Sequence, residues 1–317
     1  MTATALPAPA TDERASARAT WLPLALVAAA FVFLFARPAM LLADDWWNNP
    51  EAGHGLLLAP FAVWLAWKKI GIREGARANL GLGLAILVLA VLIRYAAGLA
   101  AELFTLKASM LMAGIGLVVC YWGVRQAVAW WLPITLIALS IPLPEIVLNA
   151  IALPLQFKAS QIGAALLEAR DIPVILTGNV IKVPGHELFV AEACSGLRSL
   201  TALLSLGVLI GGMFLNTPWS RAFLVLATLP IAVAINGARI FLTGFLILFV
   251  SPETAKGFMH TTEGWAMFVI AFAILGALAW VVLRIEDRLR GVKRRPPADA
   301  DDGRDDFAFG DVGGIHG

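Results

Sequence analysis

The sequence predicts an all-α membrane protein with about eight transmembrane helices and one small extracytoplasmic insertion before the sixth span. Hydrophobic residues occupy 60% of the 317 positions, charged residues only 15%, and the mean hydropathy is +0.81, which excludes an ordinary soluble domain. Loops rich in Lys and Arg alternate with loops that lack them, which predicts a multi-pass topology. One polar, turn-rich stretch, residues 172–199, interrupts the apolar pattern, and we expect the chemistry there.

The first two spans are predicted at residues 21–43 and 55–67. Residues 1–20 are rich in Ala, Thr and Pro and are expected to form a disordered cytoplasmic leader. The loop at 44–54 has two aspartates and two tryptophans but no Lys or Arg, which is typical of an outer interface. A basic loop follows the second span, and the positive-inside rule places it in the cytoplasm. Its basic residues are Lys68, Lys69, Arg73 and Arg77.

Three further spans are predicted at 80–99, 106–122 and 127–143, so that the chain is outside after five crossings. The next segment, 145–170, is apolar but contains Pro154 and several polar or charged residues. Such a mixture favours an interfacial or partly inserted helix pair over a clean span.

The rest of the insertion is expected to be a three-stranded meander. Short β-branched runs at 173–176, 180–183 and 187–190 are separated by the turn signals Thr177-Gly178-Asn179 and Pro184-Gly185. Together with the interfacial helices, these strands form an extracytoplasmic insertion over about residues 145–194.

Three more spans complete a membrane domain that covers residues 21–285. They are predicted at 197–215, 222–250 and 263–283. A basic stop and a disordered tail rich in Asp, Gly and Pro follow over residues 286–317. Because every basic loop falls on one side, we expect both termini in the cytoplasm.

Cys194 lies at the mouth of the sixth predicted span. The helix dipole and the unpaired N–H groups of a helix start lower a thiol pKa, and Arg198 follows one turn later. Cys120, in contrast, is expected to be a small buried hydrophobe. The two cysteines match no metal spacing, so we expect neither a metal nor a cofactor. A net charge of +2, with basic residues spread over loops, gives no reason to expect a nucleic-acid partner.

Arg239 lies inside the seventh predicted span, about 25 Å from the inner edge of an apolar core about 30 Å thick. An arginine at such a position is expensive and is usually paired or functional. His260 belongs to the next outer loop, so Cys194, Arg239 and His260 meet at one membrane surface. Together they can supply a nucleophile, an anion stabiliser and an acid or base. From the residues alone, a buried thiol, a structural or snorkelling arginine and an ordinary loop histidine are the alternatives.

Five further residues are candidates for supporting roles. His54 and His186 are additional histidines on the outer side, and either could approach Cys194. Arg198 competes with Arg239 as the anion stabiliser. Glu192 and Asn236 are expected to support the reacting groups without contacting the substrate.

Three strings carry a resemblance to a known family. EACSGLRS around Cys194, NGARIFLTG around Arg239 and FMHTTEGW around His260 are similar to the signature segments of the exosortase/archaeosortase family of membrane transpeptidases. Gly53-His54-Gly55 resembles an early family motif, and the similarity covers roughly residues 45–285. The resemblance implies that Cys194 is the nucleophile, Arg239 the family's arginine and His260 the third catalytic residue.

The resemblance also implies a substrate and a place in the cell. Enzymes of this family process exported proteins that end in a sorting signal, which is a short motif such as Pro-Glu-Pro, a transmembrane helix and a basic cluster. Cleavage would proceed through a thioester at the outer face of the bacterial inner membrane. The implied partners are these proteins, membrane lipid and proteins of exopolysaccharide assembly. The residues do not decide whether water or an amine resolves the thioester.

A transporter, or a polysaccharide-export partner without peptidase activity, is the alternative of a different class. An intramembrane arginine such as Arg239 can mark a substrate path. The chain has no obvious halves and no paired broken helices, which favours the enzyme.

Overall fold

The computed structural model describes residues 12–49, 52–189, 196–250 and 258–290. Within these ranges the side chains of residues 12–24, 188–189, 196–199, 258–265 and 268 lie outside the description. The described chain is mostly helical. Its helices, in chain order, are α1 (Asp12–Asn48), α2 (Gly55–Trp64), α3 (Leu80–Leu99), α4 (Leu103–Trp122), α5 (Val124–Ala129), α6 (Trp131–Leu139), α7 (Glu145–Glu168), α8 (Gly196–Phe214), α9 (Pro218–Phe249) and α10 (Phe258–Leu289).

The chain forms two compact units, which are described separately. One consists of Met1–Asn49 and Glu74–Ala127, and the other of Pro50–Arg73 and Val128–Gly317.

The first unit is built from α1, α3 and α4. Its buried cluster of Phe35, Ala90 and Ala113 joins the three helices. Cys120 packs against Gly83 across the α3–α4 contact, and its burial confirms the expectation of a small core residue. The helix α1 continues to Asn48, so the outer loop expected from residue 44 begins later than predicted.

Two sets of polar contacts stabilise helix ends in this unit. The carboxylate of Asp45 near the end of α1 pairs with the ammonium of Lys107, which is 4% exposed. Glu102 caps the start of α4 by accepting hydrogen bonds from the backbone N–H groups of Phe104 (3.0 Å) and Thr105 (2.6 Å). Hydrogen bonds from the side chain and the backbone of Thr105 lower the pKa of Glu102.

In the second unit, α9 packs against α7, α8 and α10. The turn between α8 and α9 is held by the buried carboxylate of Glu286 near the end of α10. Its oxygens accept hydrogen bonds from the backbone N–H groups of Asn216 (3.1 Å) and Thr217 (2.9 Å). The end of α10 therefore lies beside this turn. The starts of α8 and α10 and the end of α9 lie at the opposite end of the unit.

The helix α2 continues as a π-helical turn over Leu65–Ile70, and α6 has nine residues. Both pack against α8 around a cluster that includes Leu58, Leu65 and Leu136. The expected fifth span at 127–143 is thus not one helix. The described helix ends at Leu139, just before two prolines, and neither proline can continue a helix ladder.

The helix α7 is a single helix that passes through Pro154 and is long and apolar enough to cross a membrane. The prediction of two interfacial helices separated by a break is therefore wrong. The polar residues of α7 do not mark an interface with water. Gln156 and Ser160 are buried against protein, while Lys158 and Gln161 pair with each other on the exposed side at 3.3 Å.

The three-stranded meander is confirmed, with the antiparallel strands β1 (Ile175–Thr177), β2 (Val180–Val183) and β3 (His186–Phe189). Both connections are two-residue turns. Gly178 and Gly185 have φ of 62° and 77°, a backbone conformation that glycine adopts without strain. Ile181 and Val183 are buried, and they fix the sheet to α7 and α9 through a cluster with Leu167 and Ile240.

Six described helices are long and apolar enough to cross a membrane, by length and composition. The count of eight crossings stays a prediction. The six candidate spans are Ala25–Asn48, Leu80–Leu99, Leu103–Trp122, Glu145–Glu168, Pro218–Phe249 and Val269–Leu289.

Candidate functional site

The candidate site lies at the end of the second unit that is remote from the α8–α9 turn. At a helical rise of about 1.5 Å per residue, Gly196 lies about 30 Å from that turn, Arg239 about 33 Å and His260 about 39 Å. The apolar core of a bilayer is about 30 Å thick. The starts of α8 and α10 and the Arg239 position on α9 therefore share one edge of the apolar layer.

Packed contacts between α8 and α9 confirm that the start of α8 and Arg239 lie at the same level. Gly207 of α8 faces Thr228 of α9, and Leu200 lies beside Asn236 about two turns further along the pair. Continuing by one more turn brings the start of α8 level with Arg239.

Arg239 is buried inside this end of the unit, with only 9% of the residue exposed. Its Nε has no hydrogen-bond partner among the described residues. A buried donor without a hydrogen-bond partner lowers the stability of the folded protein by about 1–3 kcal/mol, and by more when the group is charged. Arg239 is therefore expected to find an acceptor in a group other than the described residues.

Small residues set the position of Arg239. A Cβ atom at Gly237 would lie 2.7 Å from Cγ2 of Ile162, and Gly163 faces Ile240 across the same contact. Glycine at both positions lets α7 and α9 approach closely, as small residues do between membrane helices. This close approach fixes the helix turn that carries Arg239.

A pocket of about 20 Å3 lies between α7, α8 and α9, one helical turn from Arg239. Its two polar side chains are the carboxamides of Gln156 and Asn236, both buried. The remaining lining residues are apolar: Ala152, Leu155, Leu200, Ala232 and Val233.

The β1–β2 turn reaches down to this pocket. Nδ2 of Asn179 donates a hydrogen bond to Oε1 of Gln156 over 3.4 Å, and a Cβ atom added at Gly178 would lie 3.9 Å from Cε1 of Phe157. Oδ1 of Asn179 is buried and has no partner among the described residues. The sheet is thus connected to the pocket through one carboxamide pair.

The structure describes the predicted site residues to different extents. Cys194 and Glu192 lie outside the described residues. For Arg198 and His260 only the backbone is described, in the first turns of α8 and α10 respectively. Arg239, in the middle of the described part of the site, has its side chain described in full.

The two alternative histidines have different surroundings. His54 precedes α2, is partly buried, and its Nε2 lies 3.2 Å from the carbonyl oxygen of Leu139 at the end of α6. His186 opens β3 opposite Val183 and is exposed. Within the described part of the chain, neither histidine is among the residues that line the pocket.

Two polar residues of this site were not predicted. Gln156 was noted only as one of several polar residues in 145–170, and Asn179 only as a turn residue. A signal for Gln156 was its place on the same helical face as Ser160, Gly163 and Leu167, which points to burial. Nothing in the sequence predicts that Asn179 would contact it.

Among the described residues there is no group of three or more His, Cys, Asp or Glu side chains that could hold a metal ion. The polar groups at the site are carboxamides and a guanidinium, which suit hydrogen bonding to a carbonyl or an anion.

A family model described as Transmembrane exosortase matches residues 46–277. No curated protein and no solved structure matches the chain. The matched region begins in the last turn of α1 and ends within α10, so it contains the pocket and the sheet. It also contains Cys194, Arg239 and His260.

Proposed function

The chain belongs to the transmembrane exosortase family, and we propose on this basis that it cleaves the C-terminal sorting signals of exported proteins. The family is one of membrane cysteine peptidases and transpeptidases. The main structural support for the proposal is Arg239. This arginine is buried, and its Nε has no hydrogen-bond partner among the described residues. An oxyanion that forms during the reaction is the partner that this group lacks.

Cys194 is the proposed nucleophile. Two peptide units separate it from Gly196, a reach of about 7 Å at most, and Gly196 begins α8 at the level of Arg239. Proximity to a helix start, and to the cationic side chain of an arginine, favours the thiolate over the thiol. Glu192 and Arg198 flank it in sequence and are proposed to tune its ionisation.

The reaction proceeds through a thioester. The thiolate of Cys194 attacks the carbonyl carbon of the scissile peptide bond, a C–S bond forms, and the carbonyl oxygen becomes an oxyanion bound by Arg239. Collapse of this intermediate breaks the C–N bond, and His260 as imidazolium donates a proton to the leaving amine. Water or an amine then attacks the thioester, His260 takes its proton, and the thiolate leaves.

Arg239 is proposed as an oxyanion binder because it cannot act as a base. The guanidinium stays protonated at any ordinary pH and offers five N–H donors in a planar fork. Asn236 lies one turn earlier on the same helix, in the pocket beside Arg239. It is proposed as a supporting residue.

We place the site at the outer face of a bacterial inner membrane, with both termini in the cytoplasm. The basic residues Arg221, Arg284 and Arg288 lie near the α8–α9 turn, and the positive-inside rule places that end in the cytoplasm. Arg284 also stacks over Trp280, a pair typical of a membrane interface. The sheet and the candidate site lie at the other end.

The substrate is proposed to be an exported protein that ends in a short motif, a transmembrane helix and a basic cluster. Its helix would lie in the membrane beside the enzyme, so that the motif reaches the outer surface. Membrane lipid and proteins of exopolysaccharide assembly are further proposed partners. No cofactor is proposed.

The test is co-expression of the chain with an epitope-tagged precursor of this architecture. We expect the wild-type protein to release the C-terminal helix, with precursor accumulating for Cys194→Ala and Cys194→Ser, because a hydroxyl is far less ionised than a thiol. Immunoblotting follows cleavage, and mass spectrometry of the new C-terminus distinguishes a free carboxylate from an amide-linked acceptor. Equal cleavage by wild type and Cys194→Ala, at equal membrane levels, would refute the proposal.

A further inference from the structure

The pocket between α7, α8 and α9 is lined by two polar side chains. Gln156 and Asn236 are 7% and 8% exposed, and both carboxamides line the pocket. Oε1 of Gln156 accepts a hydrogen bond from Asn179, but the NH2 group of Gln156 donates to none of the described residues.

Two further polar atoms next to this pocket are buried and unpaired among the described residues. One is Nε of Arg239, one helical turn beyond Asn236, and the other is Oδ1 of Asn179. Buried polar groups in folded proteins are nearly always hydrogen-bonded, so Nε of Arg239 and Oδ1 of Asn179 indicate missing partners. A group that satisfied both atoms would offer an acceptor to the first and a donor to the second.

The size of the pocket limits this partner. A volume of about 20 Å3 accommodates roughly one water molecule or one carbonyl group. Peptide C=O and N–H groups are small enough to enter it. A peptide backbone offers these two groups in alternation along an extended chain, and a carboxamide can bind either.

We propose that Gln156 and Asn236 form a subsite for the backbone of the substrate segment next to the scissile bond, and that Asn179 positions Gln156. This proposal rests on the proposed function. It gives the β1–β2 turn a role, because the turn fixes the orientation of one carboxamide through the Asn179 hydrogen bond.

The experiment measures kcat and KM for the full-length protein in detergent, with the tagged precursor as substrate. Gln156→Met and Asn236→Leu keep the volume of each side chain and remove its hydrogen bonds. We expect each to raise KM about tenfold, the effect of losing roughly one good hydrogen bond, and we expect Gln156→Met to leave kcat unchanged. Gln161→Met makes the same substitution on the exposed side of α7, and its KM and kcat are expected to match the wild type.

A second measurement does not depend on cleavage. A photo-crosslinking amino acid replaces Leu155, which lines the pocket, in the Cys194→Ala background, and the precursor is added before irradiation. We expect a crosslink that maps to the motif segment of the precursor. Absence of a crosslink to the motif overturns the proposal.

Several kinetic results distinguish the possible failures. An unchanged KM in Gln156→Met overturns the subsite. A second result also overturns the subsite: kcat falls at constant KM and the thermal unfolding midpoint falls with it. A residue with a purely structural role would give that pattern. A wild-type protein that cannot cleave the precursor refutes the proposed function instead. In that case the crosslink from position 155 still decides whether the pocket binds the motif.

Discussion

At the scale of single residues, Arg239 combines burial with an unsatisfied Nε, and this combination separates it from the other described arginines of the second unit. Arg221, for example, donates from Nε to the carbonyl oxygen of Leu215 over 2.8 Å and stacks over Trp131. Arg221 thus has identifiable partners. Nε of Arg239 has none among the described residues and lies at the level where α8 begins, which suits a group that binds a transient anion.

The first prediction concerns the geometry of this group. Arg239→Lys keeps the charge but loses the planar fork, so we expect kcat/KM to fall about 10²-fold or more, the scale of a lost oxyanion donor. Arg198→Lys is expected to cost much less, because tuning a thiolate needs charge more than geometry. Rates of precursor cleavage at matched membrane levels test both. If Arg198→Lys is inactive while Arg239→Lys is near normal, Arg198 binds the oxyanion and Arg239 tunes the thiolate.

The second prediction separates the histidines. His260→Ala removes the proposed acid and should lower kcat by about 10² to 10⁴-fold. His54→Ala removes a contact with the carbonyl oxygen of Leu139 and is expected to reduce stability by about 1 kcal/mol with little change in kcat. His186 is exposed on β3, and His186→Ala should leave kcat near the wild-type value. Cleavage rates and thermal unfolding of the three variants test this order, which fails if His186→Ala is the slowest.

At the scale of elements, the sequence predicts the meander best, because its turns depend on local chemistry. Gly178 and Gly185 occupy the positive-φ positions that their turn signals require. The helix α7 was predicted less well. Pro154 indicated a break, but one proline removes only a single N–H from the helix ladder, and packing of α7 on α9 maintains the helix.

The polar residues of α7 show why the site itself was only partly predictable. Gln156 and Gln161 are the same residue type on one helix, yet the first is buried in the pocket and the second is exposed. The difference depends on α9 and on Asn179, which are distant in sequence. Local patterns therefore identified Arg239 and the segment around Cys194, but they could not identify the carboxamide pair.

The third prediction tests the close contact between α7 and α9. Gly237→Ala places a Cβ 2.7 Å from Cγ2 of Ile162, so the helices must separate near Arg239. We expect a loss of about 1–3 kcal/mol in stability and a lower kcat. Gly276→Ala on α10 is the control, because its added Cβ meets nothing within 4 Å, and it should be neutral or slightly stabilising. Thermal unfolding and cleavage rates are measured together, and equal behaviour of both variants would contradict the packing argument.

At the scale of the whole molecule, the second unit carries the described part of the proposed chemistry. It contains the sheet, the pocket and Arg239, together with the helix starts that adjoin Cys194 and His260. Arg221, Arg284 and Arg288 lie near the α8–α9 turn, about 30 Å from the site along α8. This separation matches the thickness of the apolar core, so a substrate helix that spans the same core would present its motif at the site.

The fourth prediction follows from this match. If the substrate helix spans beside α7–α10 with its basic cluster in the cytoplasm, deleting that cluster while keeping motif and helix should reduce cleavage, because orientation and depth are no longer fixed. The rate of cleavage of the two precursors, at equal membrane levels, is the measurement. Undiminished cleavage of the deleted form would argue against this mode of docking.

The last prediction is the orientation of the protein in its membrane. In a variant without native cysteines, a cysteine replacing Glu187 on β3 should react with an impermeant maleimide in intact spheroplasts, whereas one replacing Arg288 near the end of α10 should react only after lysis. Glu187 is preferable to Asn179, which is partly buried, because the Glu187 side chain is 49% exposed. Its exposed ion pair with Lys182 is worth about 1 kcal/mol at most, so the sheet should survive the change. Labelling of the Arg288 position in intact spheroplasts, with the Glu187 position protected, would place the sheet in the cytoplasm. An outer-face site would then be impossible, because the starts of α8 and α10 lie at the same end of the unit as the sheet.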